Sequence, residues 1–268
     1  MAQHLRYQHS LEDLFLHVYV YIDDWLEPYQ ARLPKHRRQK ASISELLTIA
    51  VVGELLAQPF ESTWYWVVQQ RFGDLFPSLP EYSRYHRVLR NAEPLLAGLA
   101  LSVVAGQSRL HLIDSKPLPI AKGKRAQWAR LPEAAKGFST MGMVYGFKLH
   151  ALTDERGLFE KWAFAPANHS DVTLAGELLE GLEEHLVLGD KAYIGSTACT
   201  PKRKNMAQKD DWKSWMSKAR KRIESSFSSL VRSLTLHAAQ VKTFASLKTR
   251  VNLKIAAFNL LHSGVLFR

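Results

Sequence analysis

Asp114 and Asp190 each close a short apolar run, His-Leu-Ile-Asp at 111–114 and Leu-Val-Leu-Gly-Asp at 186–190, while Glu224 stands alone among Lys218, Arg220, Lys221 and Arg222. An apolar run ending in aspartate reads as a strand that delivers a carboxylate to its end, where open sheets bind ligands. Hard divalent cations such as Mg²⁺ or Mn²⁺ want oxygen donors, and three carboxylates can hold two ions about 3.5 to 4 Å apart. One ion would activate a water or a 3′-hydroxyl, and the other would stabilise a leaving oxygen at phosphorus. Each aspartate taken singly also fits a turn or a helix cap. Glu224 also fits an i, i+4 pair with Arg220, worth about 0.3 to 0.5 kcal/mol on a surface. Zinc chemistry is disfavoured, because Cys199 is the single cysteine and no histidine pair has a strong ligand spacing.

The elements that must position these groups begin after residue 100. Leu110, Leu112 and Ile113 predict a strand that ends at Asp114, with Pro117 and Pro119 barring a helix beyond it. Val144–Thr153 and Leu158–Ala165 alternate as two strands around the turn residues Asp154, Glu155, Arg156 and Gly157. Asn168, Ser170 and Asp171 are candidate caps for a helix from about Val172 to Glu184, and His185–Gly189 follows as a strand. A helix is expected from about Asp210 to Leu234, with Trp212, Trp215, Met216, Ala219, Ile223, Phe227, Leu230 and Leu234 on its sheet-facing side. Glu224 sits at the edge of that stripe. The order strand, hairpin, helix, strand, helix implies an α/β mixed fold, a mixed sheet flanked by helices.

The first hundred residues read as helical. Ser10 with Asp13 has the pattern of a capping box ahead of Leu11, Leu14, Phe15, Val18, Ile22 and Trp25, and Pro28 stops the run. Further helices are expected from Ser42 or Ser44, over Thr63–Phe72, and from Ser83 onward. Arg84, Arg87 and Arg90 recur every third residue along one face of the last. A helix, a Pro/Gly-containing turn and a basic second helix fit both a helix-turn-helix on DNA and a plain helical bundle. The expected division is residues 1–100 as an all-helical, helix-turn-helix-like DNA-binding domain and 101–268 as a catalytic domain that carries basic C-terminal helices.

The 268-residue chain has a net charge of +11, and nearly all of the excess is local: residues 201–268 carry 15 Lys and Arg against three acidic residues. A basic segment joined to a neutral body points to a polyanion lying along it, or to a solvated charged helix. The run Leu14–Ile22 is too short to span a bilayer and ends at Asp23 and Asp24. With one cysteine, the expectation is a soluble, cytoplasmic protein.

His111–Pro117 (HLIDSKP), Gly189–Ile194 (GDKAYI) and Arg220–Phe227 (RKRIESSF) together resemble the three signature segments of DDE transposases of bacterial insertion sequences, most closely the insertion-sequence 982 family. The likeness extends over roughly 108–262. It implies a ribonuclease-H-like catalytic domain, two Mg²⁺ or Mn²⁺ ions held by Asp114, Asp190 and Glu224, and a preceding helical domain that binds terminal inverted repeats. It also implies target DNA as a second substrate and a homodimer that handles two ends. Related families carry Tyr, two residues, Arg, three residues, Glu, six residues, Lys around the third carboxylate. Here Arg220 fits, Ser217 stands at the Tyr position and Val231 at the Lys position, with Arg232 next to it.

From this resemblance, strand cleavage followed by attack of the freed 3′-hydroxyl on target DNA is the expected reaction. Arg220, Lys221, Arg222 and Arg232, with Lys122, Lys124 and Arg125 after the first aspartate, are the expected backbone contacts, and Arg84 and Arg87 the expected readers of the repeat. Tyr193 either stacks near the DNA end or packs internally. Three other readings use the same residues: a nuclease that never joins, a DNA-binding protein with structural carboxylates, and a transposase relative that has lost activity.

Overall fold

The computed structural model describes residues 10–32, 40–104, 106, 108–121, 131–139, 142–203, 206, 211–238 and 241–267. They divide into a helical unit, within Met1–Val103, Arg232–Ala238 and Ala245–Arg268, and a sheet unit, within Val104–Val231 and Ala239–Phe244. Among the described residues no helix is long and apolar enough to cross a membrane.

In the helical unit, α1 (Leu11–Leu26) starts at the expected Ser10–Asp13 capping box, and α2 (Ile43–Leu55) starts at a second one between Ser42 and Glu45. α1 buries Leu14, Phe15, Val18, Ile22 and Leu26, and a 3₁₀ turn over Glu27–Arg32 follows where Pro28 ends its α-helical bonding. α3 (Glu61–Arg71) and α4 (Tyr82–Asn91) are joined through stacked Tyr65 and Tyr85, 4.3 Å apart. Phe15 packs among Trp64, Phe72 and Phe76. α5 (Glu93–Leu101) carries Pro94 in its first turn, where a missing N–H costs nothing.

The last helix, labelled α8 below, is Phe244–Ser263, and from Ala245 onward it belongs to this helical unit. This corrects the expectation that 101–268 forms one domain. Its sequence gives the reason: Val251, Leu253, Ile255, Ala256, Ala257, Phe258 and Leu260 are buried on every side, so the helix needs a core all round it. Its two central cations are buried in pairs, Lys254 donating to Glu54 and Arg250 lying 3.2 Å from Glu61. Asn252 and Asn259 donate to Glu93 and to the Ala100 carbonyl.

In the sheet unit, β1 (Leu110–Ala121) runs antiparallel to β3 (Gly142–Asp154). The far edge of β3 is shared by β2 (Ala135–Ser139), which pairs with Gly142–Gly146, and β4 (Phe159–Pro166), which pairs with Phe147–Thr153. β5 (Leu186–Leu188) joins the other edge of β1 in parallel, Leu110–Leu112 against Leu186–Leu188. The result is the expected mixed sheet flanked by helices, consistent with a ribonuclease-H-like domain. β1 is longer than expected, continuing seven residues past Asp114. Beyond Leu112 it pairs, among the described residues, with β3 alone, and a strand paired on one side tolerates Pro117 and Pro119 at alternate positions.

The expected hairpin is present: Asp154 Oδ1 accepts from the backbone N–H groups of Arg156 and Leu158, at 2.9 and 2.8 Å, and Gly157 takes φ +89°. The expected helix over 172–184 is shorter, a 3₁₀ turn at Asp171–Leu174 followed by α6 (Ala175–Leu179). The Asp171 carboxylate bonds Lys148 Nζ at 2.9 Å instead of capping, and Gly181 (φ +80°) turns the chain soon after. α7 (Ser214–Arg232) is the expected long helix.

Each face of the sheet is covered differently. Ile113 and Leu152 pack with Leu178 and Leu179 of α6, Val187 and Tyr193. Asp114 and its rung partner Ala151 point to the opposite face, where Phe227 of α7 meets Phe159 edge-on and the Ser226 hydroxyl donates to the Gly157 carbonyl.

The buried Lys254–Glu54 pair yields a stability prediction. Lys254→Met leaves the Glu54 carboxylate buried without its cation and should cost about 3 to 5 kcal/mol, read as a lower urea midpoint. Lys254→Met with Glu54→Leu should recover most of it. A single-variant loss below about 1 kcal/mol would contradict the pairing.

Candidate active site

Asp114 projects from the interior of β1 beneath α7, with only 19% of its side chain exposed. Its own neighbour Ser115 donates a backbone N–H to Oδ1 at 2.8 Å. Burial pushes the carboxyl up to about 6, and the negative charges of Asp190 and Glu224 push the same way against the Ser115 N–H and Arg220.

Asp190 follows β5 after Gly189. Its Oδ1 accepts from the Ala192 N–H at 2.8 Å, capping the 3₁₀ turn Lys191–Tyr193. Gly189 lets that turn press on β1, because a Cβ there would lie 3.0 Å from the Ile113 side chain. Asp190 is thus both a local cap and a charge felt by Asp114.

Glu224 is half-exposed on α7 and accepts a hydrogen bond from Arg220 Nη2, one helical turn earlier. The other guanidinium nitrogen, Nη1, lies 3.8 Å from Asp114 Oδ2. The i, i+4 pair weighed from sequence is therefore present, and the same arginine also faces the first aspartate. Helix α7 brings Glu224 near enough to Asp114 for its charge to be felt there. Among the described residues no three His, Cys, Asp or Glu side chains converge closely enough to hold one ion. The donor set still suits a hard cation: three carboxylates repel one another in a half-buried place, and a cationic side chain already stands among them.

The expected DNA contacts sort by exposure. Lys221 and Arg222 are exposed on α7, Arg220 is half-buried over the carboxylates, and Arg232 is exposed at the end of the helix, two turns beyond Glu224. In the helical unit Arg87 is exposed on α4, and Arg84 is half-buried beside a 260 Å³ hollow that Lys40 and Glu81 also line. Lys122, Lys124 and Arg125 lie outside the described residues. Of the two places open to Tyr193, the structure has the internal one: its side chain is wholly buried, so its ring has no face for a base.

What sequence reading missed lies behind the aspartates. Burial raises the Tyr193 hydroxyl, with the charges of Asp171, Asp114 and Asp190 adding to it, and that hydroxyl lies 3.5 Å from His150 Nδ1. Burial holds the His150 ring down to about 4, and its Nε2 has no hydrogen-bond partner among the described residues. A second group, Glu160–His111–His185, ties β4, β1 and the start of β5 through contacts of 2.6 and 2.8 Å. Neither group has a sequence signal, because strand alternation hides which buried histidine finds a polar neighbour.

Residues 105–239 match the family model described as a transposase DDE domain, and the match includes Asp114, Asp190 and Glu224. It covers half of the chain, which belongs to that family. No curated protein and no solved structure gives a match.

The Asp114 carboxyl titrates higher in the fold than in an unfolded chain, where it lies near 3.9. Its ionisation therefore costs the fold nothing below about pH 4 and most above about pH 6. Asp114→Asn should raise the unfolding free energy at pH 7.5 by up to about 3 kcal/mol, with the gain vanishing toward pH 4. Denaturant melts of both proteins across that range measure it. A gain that is flat with pH would mean that Asp114 carries no such penalty.

Proposed function

We propose that this member of the transposase DDE-domain family cuts DNA at the ends of an insertion sequence and joins the freed 3′-hydroxyl to target DNA, using Asp114, Asp190 and Glu224. The observation that supports this reading best is the Arg220 guanidinium shared by Asp114 and Glu224, beside an aspartate already burdened by the charge of Asp190. Such a cluster asks for a divalent cation more than for a structural ion pair.

Asp114 and Asp190 would hold Mg²⁺ or Mn²⁺ from the sheet side, and Glu224 from the helix side. Bound there, two ions lower the pKa of an attacking water and offset charge on the leaving oxygen. The chain's own contribution is placement. β1 and β5 fix the aspartates, and α7 sets Glu224 opposite them. Arg220, freed from its two carboxylates, is within reach of a phosphodiester lying over Asp114. Lys221 and Arg222, on the open side of α7, contact the backbone without reading bases, as do Arg232, Lys122, Lys124 and Arg125. Arg84 and Arg87 on α4 read the terminal inverted repeat in the manner of a helix-turn-helix. Two ends require two active sites, so the working form is a homodimer acting on DNA in the bacterial cytoplasm. Its three motif segments resemble those of the insertion-sequence 982 family, where this reading puts it.

One observation favours a reading as a transposase relative that has lost activity. Ser217, at the position where related families have tyrosine, accepts from Trp212 Nε1 at 2.7 Å, so that contact is built differently here. Joined products, or cleavage alone, decide between transposase and nuclease.

In a cleavage assay on a labelled duplex carrying the element's end, Asp114→Asn, Asp190→Asn and Glu224→Gln should each lower the metal-dependent rate by about 10² or more, with DNA binding retained. Variants that bind and still cut would sink the assignment. Lys221→Glu and Arg222→Glu should each weaken binding and reduce the slope of log affinity against log salt by about 0.9. An unchanged slope would leave that side of α7 a solvated surface.

A further inference from the structure

The parallel ladder between β1 and β5 ends at the rung of Leu112 and Leu188, and Asp114 and Asp190 each lie two residues beyond it. Among the described residues no ladder pairing joins the two strands at the level of the aspartates, where like charge drives them apart. Another contact has to hold Asp190 in place.

Tyr193 is built onto Asp190. Its backbone N–H donates to the Asp190 carbonyl at 3.1 Å, closing the three-residue turn that the Asp190 carboxylate caps. Its own carbonyl accepts from the Ser196 N–H and hydroxyl, at 3.1 and 2.8 Å, so the backbone is fixed on both sides. The side chain then crosses to the sheet. Its ring lies in the cluster with Ile113 and Leu152, and its hydroxyl meets Ser115, next to Asp114, and His150, the rung partner of Ser115. Ser115 and His150 point to the face opposite Asp114, so the hydroxyl grips β1 from behind, one residue from the carboxylate.

A core position needs only the ring. Burying the hydroxyl costs free energy unless it is bonded, and the imidazole that meets it is buried too. Burial keeps that imidazole neutral, so Nδ1 accepts the tyrosine proton, the Ser115 hydroxyl donates to the tyrosine oxygen, and the Nε2 N–H is left without a partner among the described residues. Phenylalanine at 193 with an apolar side chain at 150 would fill the same space and leave no such group. Keeping the polar groups makes sense where they fix position.

We infer that the Tyr193 hydroxyl, bound by Ser115 and His150, is a positioning group that keeps Asp190 beside Asp114 and so sets the carboxylate spacing that divalent cations require. The inference rests on the cation-binding reading above. Groups that orient metal ligands from behind typically change metal affinity about tenfold or more when removed.

The test uses the full chain. In metal-free protein, hydrogen exchange at the amides of 190–196 should quicken several-fold in Tyr193→Phe, while the amides of α8 keep the wild-type rate. Mn²⁺ affinity, followed by the electron paramagnetic resonance signal of free Mn²⁺, should weaken about tenfold in Tyr193→Phe and in Ser115→Ala. The double variant should lose no more than either alone, because both remove one contact. Cleavage of the element's end should fall at limiting Mn²⁺ and return to the wild-type rate at saturating Mn²⁺, whereas general damage to the fold would lower it at both. Ser115→Ala leaves the ring in place, so it carries the test if Tyr193→Phe does not fold. Wild-type Mn²⁺ affinity in either folded variant, or a double variant that loses the product of the two single losses, would overturn the clamp, while loss of affinity in Asp190→Asn keeps the cation reading. If wild type takes up no Mn²⁺, the cation reading fails; exchange then decides the clamp alone, quickened in Tyr193→Phe if it holds and unchanged if it does not.

Discussion

Three rungs of parallel pairing, Leu110–Leu112 against Leu186–Leu188, bring Asp114 and Asp190 together from distant parts of the chain, and the rest of the candidate site depends on that contact. Backbone hydrogen bonds and the apolar cluster of Ile113, Val187, Leu178 and Tyr193 must outweigh the repulsion that two close carboxylates introduce. Burial lifts the Asp114 carboxyl to about 6, and the Asp190 charge adds to it. Helix α7 adds a third acid and, with it, the Arg220 cation that faces both Asp114 and Glu224. The fold thus spends stability on a concentration of negative charge, which is expected where binding or chemistry needs it.

Much of this was legible from residue types. Apolar runs that end in aspartate located β1, β5 and both carboxylates; Ser10 and Ser42 located two helix starts; the 154–157 turn located the β3–β4 hairpin. The misses share a physical cause, the competition of tertiary contacts with local signals. The strand that reads as ending at Asp114 runs on through Pro117 and Pro119, because among the described residues that stretch pairs on one edge alone. Asp171 looks like a helix cap until Lys148 takes its carboxylate. Tyr193 looks like a DNA contact until the three-residue turn after Asp190 folds it inward. Glu224 was the least determined of the three acids, since a pair with Arg220 satisfied it locally, and only the position of α7 over β1 decides where that pair sits.

The basic C-terminal quarter also changes meaning once folded. Its 15 Lys and Arg residues suggest one polyanion surface. Arg250 and Lys254, however, are buried in pairs with Glu61 and Glu54 inside the helical unit. Those cations hold a core together. Exposed charge remains on α7, where Lys221 and Arg222 face solvent and Arg220 lies beside Asp114 and Glu224. Net charge along a sequence therefore overstated the exposed charge, part of which is taken up in ion pairs.

The central claim is that Asp114, Asp190 and Glu224 act as one cation-binding group. Titration of Mn²⁺ into the full chain, followed by the electron paramagnetic resonance signal of free Mn²⁺, addresses it directly. Wild type should take up Mn²⁺, and the uptake should weaken at least tenfold in each of Asp114→Asn, Asp190→Asn and Glu224→Gln. Wild-type affinity retained in all three variants would contradict it.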